Sequence, residues 1–171
     1  GFPYAPYADT WYSSAEADKL SGVELDATNP DIRARFNSNL GNTGCLTGSY
    51  FYYGFDNNHG TNVDLLVVVL HELSHGLGFQ TFASGTTGAY LAGYPDIFLR
   101  YLHDEATGLH WNEETDAQRA ASAINTGKLL WDASGTNLRT PEVLQLGRPD
   151  LKVNAPAAVT GDYLVGLATF G

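Results

Sequence analysis

Apolar and polar positions change period several times along the chain, and each period predicts an element. Near the start, Ser13 and Glu16 have capping-box spacing, "SSAEADKL" follows, and Gly22 stops a short helix. In "DIRARFNS", Ile32, Ala34 and Phe36 alternate with Arg33 and Arg35, the period of a half-buried strand. "SYFYYGFD" is a second strand candidate, rich in aromatics that favour sheets. The apolar run "VDLLVVVL" comes next and passes into "HELSHGLGFQ". Beyond it, "TFASGTTGAYLAGYPD" reads as an exposed loop, and "DIFLRYLHDEATGLHWNEE" as a hairpin with its turn at Glu105 to Gly108. Thr115 and Gln118 again have capping-box spacing, predicting a helix over "ETDAQRAASAINTG" that Gly127 stops. From Leu129 onward the chain is punctuated by Gly and Pro and is strand-like, in "TPEVLQLG" and "DYLVGLATF".

Strands, an apolar helix, a hairpin, a helix and more strands predict an α+β domain rather than repeating βαβ units. At 171 residues the chain is expected to be one domain, 1–171, with a core of its own. Acidic residues outnumber basic ones, 19 to 9, and no stretch gathers cations, which argues against a nucleic-acid surface. The longest apolar run, Leu65 to Leu70, is too short to span a bilayer, so no membrane partner is expected. "GFPYAPYADTWYSS" lacks the basic start and apolar core of a signal peptide, leaving a cytoplasmic protein or a processed piece. Cys45 is the only cysteine, which rules out an intrachain disulfide and a Cys-rich zinc module. It reads as a small buried apolar residue, or as a half-cystine whose partner lies outside the chain.

His71, Glu72 and His75 interrupt the most apolar run in the chain. Burying ionisable groups is costly unless something compensates them. On a strand, residues four apart are about 13 Å from each other, too far for one metal ion. On a helix they share a face at about 6 Å, and both imidazoles can reach one zinc at about 2.1 Å. Thr61 and Asn62 can cap such a helix, Asp64 suits its first turn, and Gly76 and Gly78 end it or admit another backbone. The pattern predicts a buried helix over 62–77 bearing the HExxH zinc signature. His71 and His75 are the expected ligands, and Glu72 is the expected general base.

A catalytic zinc takes three protein ligands and keeps one position open. The third is not evident. Where the metzincin pattern has a His, this chain has Thr81; the gluzincin pattern needs a Glu, and none occurs between Glu72 and Glu105. Asp96 is the first internal candidate, in the manner of an aspzincin, although a turn role after Pro95 is the plainer one. His59, His103 and His110 are the others, each more simply a surface or strand histidine.

Three stretches, "YFYYGFDNNHGTNVDLLVVVLHELSHGLGFQTF", "AQRAASAINTGKLLWD" and "NAPAAVTGDYLVGLATFG", resemble secreted bacterial zinc metallopeptidases that carry a protease-associated domain. The resemblance implies a zincin-like fold with a mixed sheet packed on a buried active-site helix. It also implies a zinc cofactor, protein or peptide substrates, and an extracellular location; a monomer is expected. In that group the inserted domain tends to begin just after a segment like "GDYLVGLATFG", which makes a C-terminal truncation at Gly171 an expectation. The third ligand could then lie beyond this sequence. A fragment with an incomplete site would be a metal-binding but non-catalytic peptide-recognition module, the alternative to a zinc endopeptidase.

Overall fold

The computed structural model describes residues 1–125, 127–134 and 151–153. Three α-helices and two small sheets are found among them, a mixed α/β arrangement. The chain divides into two compact units, Ser13–Gly78 and Gly1–Tyr12 with Phe79–Gly171.

In the first unit, α1 (Ser14–Ser21) is bounded as its sequence predicts. Ser13 Oγ accepts from the Glu16 N–H at 3.4 Å, and Gly22 closes the helix at φ 74° with its N–H on Asp18 O. That left-handed conformation is cheap only for glycine. The strand expected at 32–36 is absent: Asp31 to Phe36 has no ladder partner, and only Ile32 among them is even half-buried. Alternation supplies a face to bury but no neighbour to pair with, and a strand requires both. Ile32 instead packs against Gly76, where an added Cβ would lie 2.6 Å from its Cγ2.

β1 (Phe51–Tyr52) pairs in parallel with β2 (Val63–Asp64), in the register Phe51↔Val63 and Tyr52↔Asp64. The longer aromatic strand shrinks to two residues, and Tyr53 and Phe55 are exposed. α2 (Leu65–Gly76) follows β2 directly. Its cap is Asp64, whose Oδ1 accepts from the Leu66 N–H at 2.9 Å, rather than Thr61 or Asn62. Those two residues precede a strand, so the helix begins three residues later than the sequence suggests.

The expectation of a buried helix is not met. No residue of α2 is buried; Val67 and Leu70 are 60% and 58% exposed. Apolar residues on all sides create a demand for burial that neighbouring elements must satisfy, and the described neighbours cover it only in part. The expected mixed sheet is also absent among the described residues. The pair in this unit is parallel, and the sheet of the second unit is antiparallel throughout.

The second unit holds the hydrophobic core, formed by Phe98, Leu99, Leu102, Trp111, Leu129 and Trp131. Trp11 joins by backbone bonds, donating to Pro95 O and accepting from the Ile97 N–H, both at 2.9 Å. The expected hairpin is present. β3 (Leu102–Asp104) and β4 (Leu109–His110) flank the turn, where Asp104 Oδ1 accepts from the Ala106 N–H at 2.7 Å and Gly108 adopts φ 72°. The preceding "FLRY" is a 3₁₀ turn rather than strand. β5 (Leu129–Trp131) and β6 (Leu151–Val153) complete a sheet in the order β4-β3-β5-β6. The strand candidates "TPEVLQLG" and "DYLVGLATF" lie outside the described residues.

α3 (Asp116–Ala123) carries the predicted capping box in full. Thr115 Oγ1 accepts from the Gln118 N–H, and Gln118 Oε1 accepts from the Thr115 N–H. From this helix Arg119, 2% exposed, sends its guanidinium inward. It donates to Gly88 O at 2.6 Å, to Trp111 O at 2.9 Å and to Tyr90 Oη at 2.8 Å, and further to Glu114 O and Asp116. Its Cζ lies over the Tyr90 ring, 3.8 Å from the centroid. A buried cation is tolerable only when its donors are occupied. Gly88 makes the approach possible: at φ 72°, an added Cβ would meet Asp116 O at 1.8 Å.

Arg119→Met is expected to destabilise the protein by about 3–5 kcal/mol, because it removes the guanidinium donors that the Gly88, Trp111 and Glu114 carbonyls accept from. Urea denaturation measures this, and a loss under 1 kcal/mol would remove Arg119 from its organising position. Glu114 offers a test by pH. Burial, and secondarily the nearby Asp104 carboxylate, raise its carboxyl above the ordinary range, opposed by the Thr107 hydroxyl and Arg119. A raised folded-state value means that the ionised form costs stability at neutral pH, and that this cost disappears as pH falls toward the unfolded value of about 4.3. Glu114→Gln should therefore melt higher than wild type at pH 7, with the gain shrinking on acidification. A gain that grows toward low pH would contradict the assignment.

Candidate metal centre

The helical pitch of α2 sets the geometry of the HExxH segment. His71 and His75 stand one turn apart with Nε2 atoms separated by 3.2 Å. Their rings meet edge to face, with centroids 4.8 Å apart and planes at 87°. Two ligands of a tetrahedral zinc with bonds of about 2.1 Å are themselves about 3.4 Å apart, so this separation suits the two nitrogens to a single ion. Both imidazoles are half-buried and Glu72 is exposed. The helix ends just beyond His75: Leu77 N–H bonds back to Leu73 O, and Gly78 turns away at φ 105°. The sequence had required one face and a stop after it; both are present.

His59 lies in the same unit, before α2. Its Nδ1 is 2.9 Å from Asn62 O, a contact that holds the loop leading into β2. Among the described residues, no group of three His, Cys, Asp or Glu ligand atoms lying within 4.8 Å of one another includes the His71–His75 pair. Asp18, Glu24 and Asp31 approach one another there, as partly exposed to exposed carboxylates.

Asp96, His103 and His110 belong to the other unit. Asp96 is 2% exposed and its carboxylate is engaged on both oxygens. Oδ2 accepts from Thr81 Oγ1 at 2.9 Å and from the Phe82 N–H at 2.7 Å; Oδ1 accepts from the Leu99 N–H at 3.1 Å. Burial raises its carboxyl above the usual range, and these hydrogen bonds oppose the rise. The bonds make Asp96 the brace between residues 81–82 and the turn at 96–99. Thr81, which stands where a metzincin has its third His, is one of the donors.

His103 and His110 face each other across the hairpin, and His110 Nε2 is 2.8 Å from Asp132 Oδ2. Sequence reasoning weighed the two histidines and missed Asp132. Strand parity could have found it, since Asp132 follows β5 with the same alternation that orients His103. Cys45 is a half-buried free thiol whose Sγ lies 3.3 Å from Asn37 Nδ2. Among the described residues, no helix is long and apolar enough to cross a membrane. Comparison with protein-family models, curated proteins and solved structures finds no match to this chain.

Asp96→Asn separates a brace from a ligand. One amide oxygen cannot serve three donors, and the amide NH₂ would confront one of them, so the variant should lose about 1–3 kcal/mol in a metal-free melt. Its zinc affinity should equal that of wild type. A variant that melts like wild type but loses zinc would make Asp96 a ligand instead.

Proposed function

We propose that this chain is the zincin-like catalytic domain, or part of it, of a secreted zinc endopeptidase. The observation that carries the reading is the 3.2 Å separation of His71 and His75 Nε2 on one helical face, with Glu72 between them in sequence. Neutral imidazoles at that spacing fit the donor set of a catalytic zinc. When bound, zinc would lower the pKa of water and polarise a peptide carbonyl.

The chain's own residues supply the rest. His71 and His75 hold the ion from one rigid turn of helix, so their spacing is not left to loop motion. Glu72 accepts the proton of the attacking water and hands it to the leaving amine, general acid–base catalysis by one carboxylate. Its exposure leaves it accessible to solvent and to a substrate. The substrates are proteins or peptides, and the protein acts as an extracellular monomer. The acidic balance of the chain, net −10, gives no support to a nucleic-acid partner.

A metal-binding but non-catalytic peptide-recognition fragment is the second reading. The observation favouring it is that, among the described residues, no group of three His, Cys, Asp or Glu ligand atoms lying within 4.8 Å of one another includes His71 and His75. Glu72 speaks against it, because a purely structural ion has no use for a base and is normally closed by four ligands.

Hydrolysis of casein or a quenched fluorogenic peptide, with and without a chelator, tests the two. Chelator-sensitive cleavage supports the peptidase; binding of peptide without cleavage by the zinc-loaded chain supports the fragment. Glu72→Gln should keep zinc and fold while hydrolysis falls by about two to four decades. A zinc-loaded variant within a few-fold of wild-type activity would overturn the role of Glu72.

A further inference from the structure

The antiparallel sheet has two chemically different faces. Register and the period-two alternation of strands put Leu102, Leu129 and Trp131 on the core side. They put His103, His110 and Asp132 together on the other. His103 and His110 are directly opposed across β3 and β4. Trp111 N–H bonds to Leu102 O, which makes the neighbouring His103↔His110 position a non-hydrogen-bonded pair, where side chains come closest. The rings are 5.3 Å apart at 64°. Asp132 sits one residue past β5, its N–H on Tyr101 O at 3.0 Å, so the ladder still governs its direction.

We propose that His103, His110 and Asp132 form a second divalent-metal site, for zinc or a similar borderline transition ion, independent of His71 and His75. One ligand atom from each of the three lies within 4.8 Å of the other two. Three ligands of one tetrahedral ion are about 3.4 Å apart, a contraction that small side-chain rotations supply. His110 Nε2 and Asp132 Oδ2 are already 2.8 Å apart, a contact closed by a proton that a cation can replace. Glu113 supports the arrangement. Its Oε2 accepts from the His110 backbone N–H at 2.9 Å and lies 3.4 Å from His110 Nδ1, so the ring presents Nε2 to Asp132. A carboxylate on the far nitrogen of a ligating imidazole is the usual way that such a ring is oriented.

A simple ion pair would need only His110 and Asp132. His103 is the additional donor, and all three residues are half-buried, so an ion can reach them from solvent. Bound there, it would tie β3, β4 and the end of β5 together, clamping the hairpin to the sheet.

The full chain carrying His71→Ala and His75→Ala isolates this site. Equilibrium dialysis against zinc should return one ion per chain, and zinc should raise its Tm. Co²⁺ should give the visible absorption of a nitrogen- and oxygen-ligated ion. Adding His103→Gln or Asp132→Asn should weaken binding by about ten- to a hundredfold or more, since even a partner supporting a ligand is worth that much. Circular dichroism of each metal-free variant checks that the fold is intact, and His110→Gln serves if either variant unfolds. A His71→Ala/His75→Ala chain that binds no ion overturns the proposal. So does one whose binding is indifferent to His103 and Asp132. A single ion in the otherwise unaltered chain, lost equally on His71→Ala and on His103→Gln, would overturn it too, by making His103 the third ligand of the helix pair. None of these outcomes depends on peptide hydrolysis.

Discussion

The guanidinium of Arg119 is the interaction around which the larger unit is organised. It reaches from α3 to the backbone carbonyls of Gly88, Trp111 and Glu114, and it stacks on Tyr90, so one side chain joins a helix, a loop and the end of the hairpin. A cation buried to 2% exposure cannot shift without leaving either itself or its acceptors unpaired. Trp111 is held by its carbonyl to Arg119 and by its indole N–H to Ser122 Oγ at 2.9 Å. That fixes the residue following β4 and, with it, the strand that presents His110. The histidines of the sheet thus depend on a contact that none of them makes.

In the smaller unit the governing constraint is local. A rise of about 1.5 Å and a rotation of about 100° per residue bring positions four apart to one face, and His71 and His75 need nothing else to converge. The two histidine pairs of this protein consequently have different origins. One is made by helical pitch within five residues; the other is assembled from two strands and completed by Asp132, which follows a third. The first kind survives in any context that keeps the helix, whereas the second exists only when the sheet does.

Local signals translated well wherever the partner was nearby in sequence. The caps at Ser13, Gly22 and Thr115 and the turn at Glu105 to Gly108 each rest on bonds spanning a few residues, and each formed as the residues suggested. Expectations that needed a distant partner fared differently. The alternating "DIRARFNS" found no neighbour to pair with, and the aromatic "SYFYYGFD" kept only two paired residues. Likewise, the apolar circumference of α2 calls for burial, yet Val67 and Leu70 remain largely exposed. Composition reports how much a segment would gain from being covered, while coverage is decided by what the rest of the chain places there.

The sequence by itself determined the mixed helix-and-strand character, both ends of α1, the start of α3 (which ends at Ala123, short of the expected stop at Gly127), the hairpin turn and the convergence of His71 with His75. All of these follow from covalent geometry and hydrogen bonds a few residues long. Only the tertiary structure decided that Asp96 braces Thr81, Phe82 and Leu99, that Arg119 is a buried hub, and that Asp132 joins His103 and His110. Those roles depend on which donors and acceptors meet across tens of residues, and a carboxylate, a guanidinium or an imidazole carries no mark in the sequence of the partner it will find.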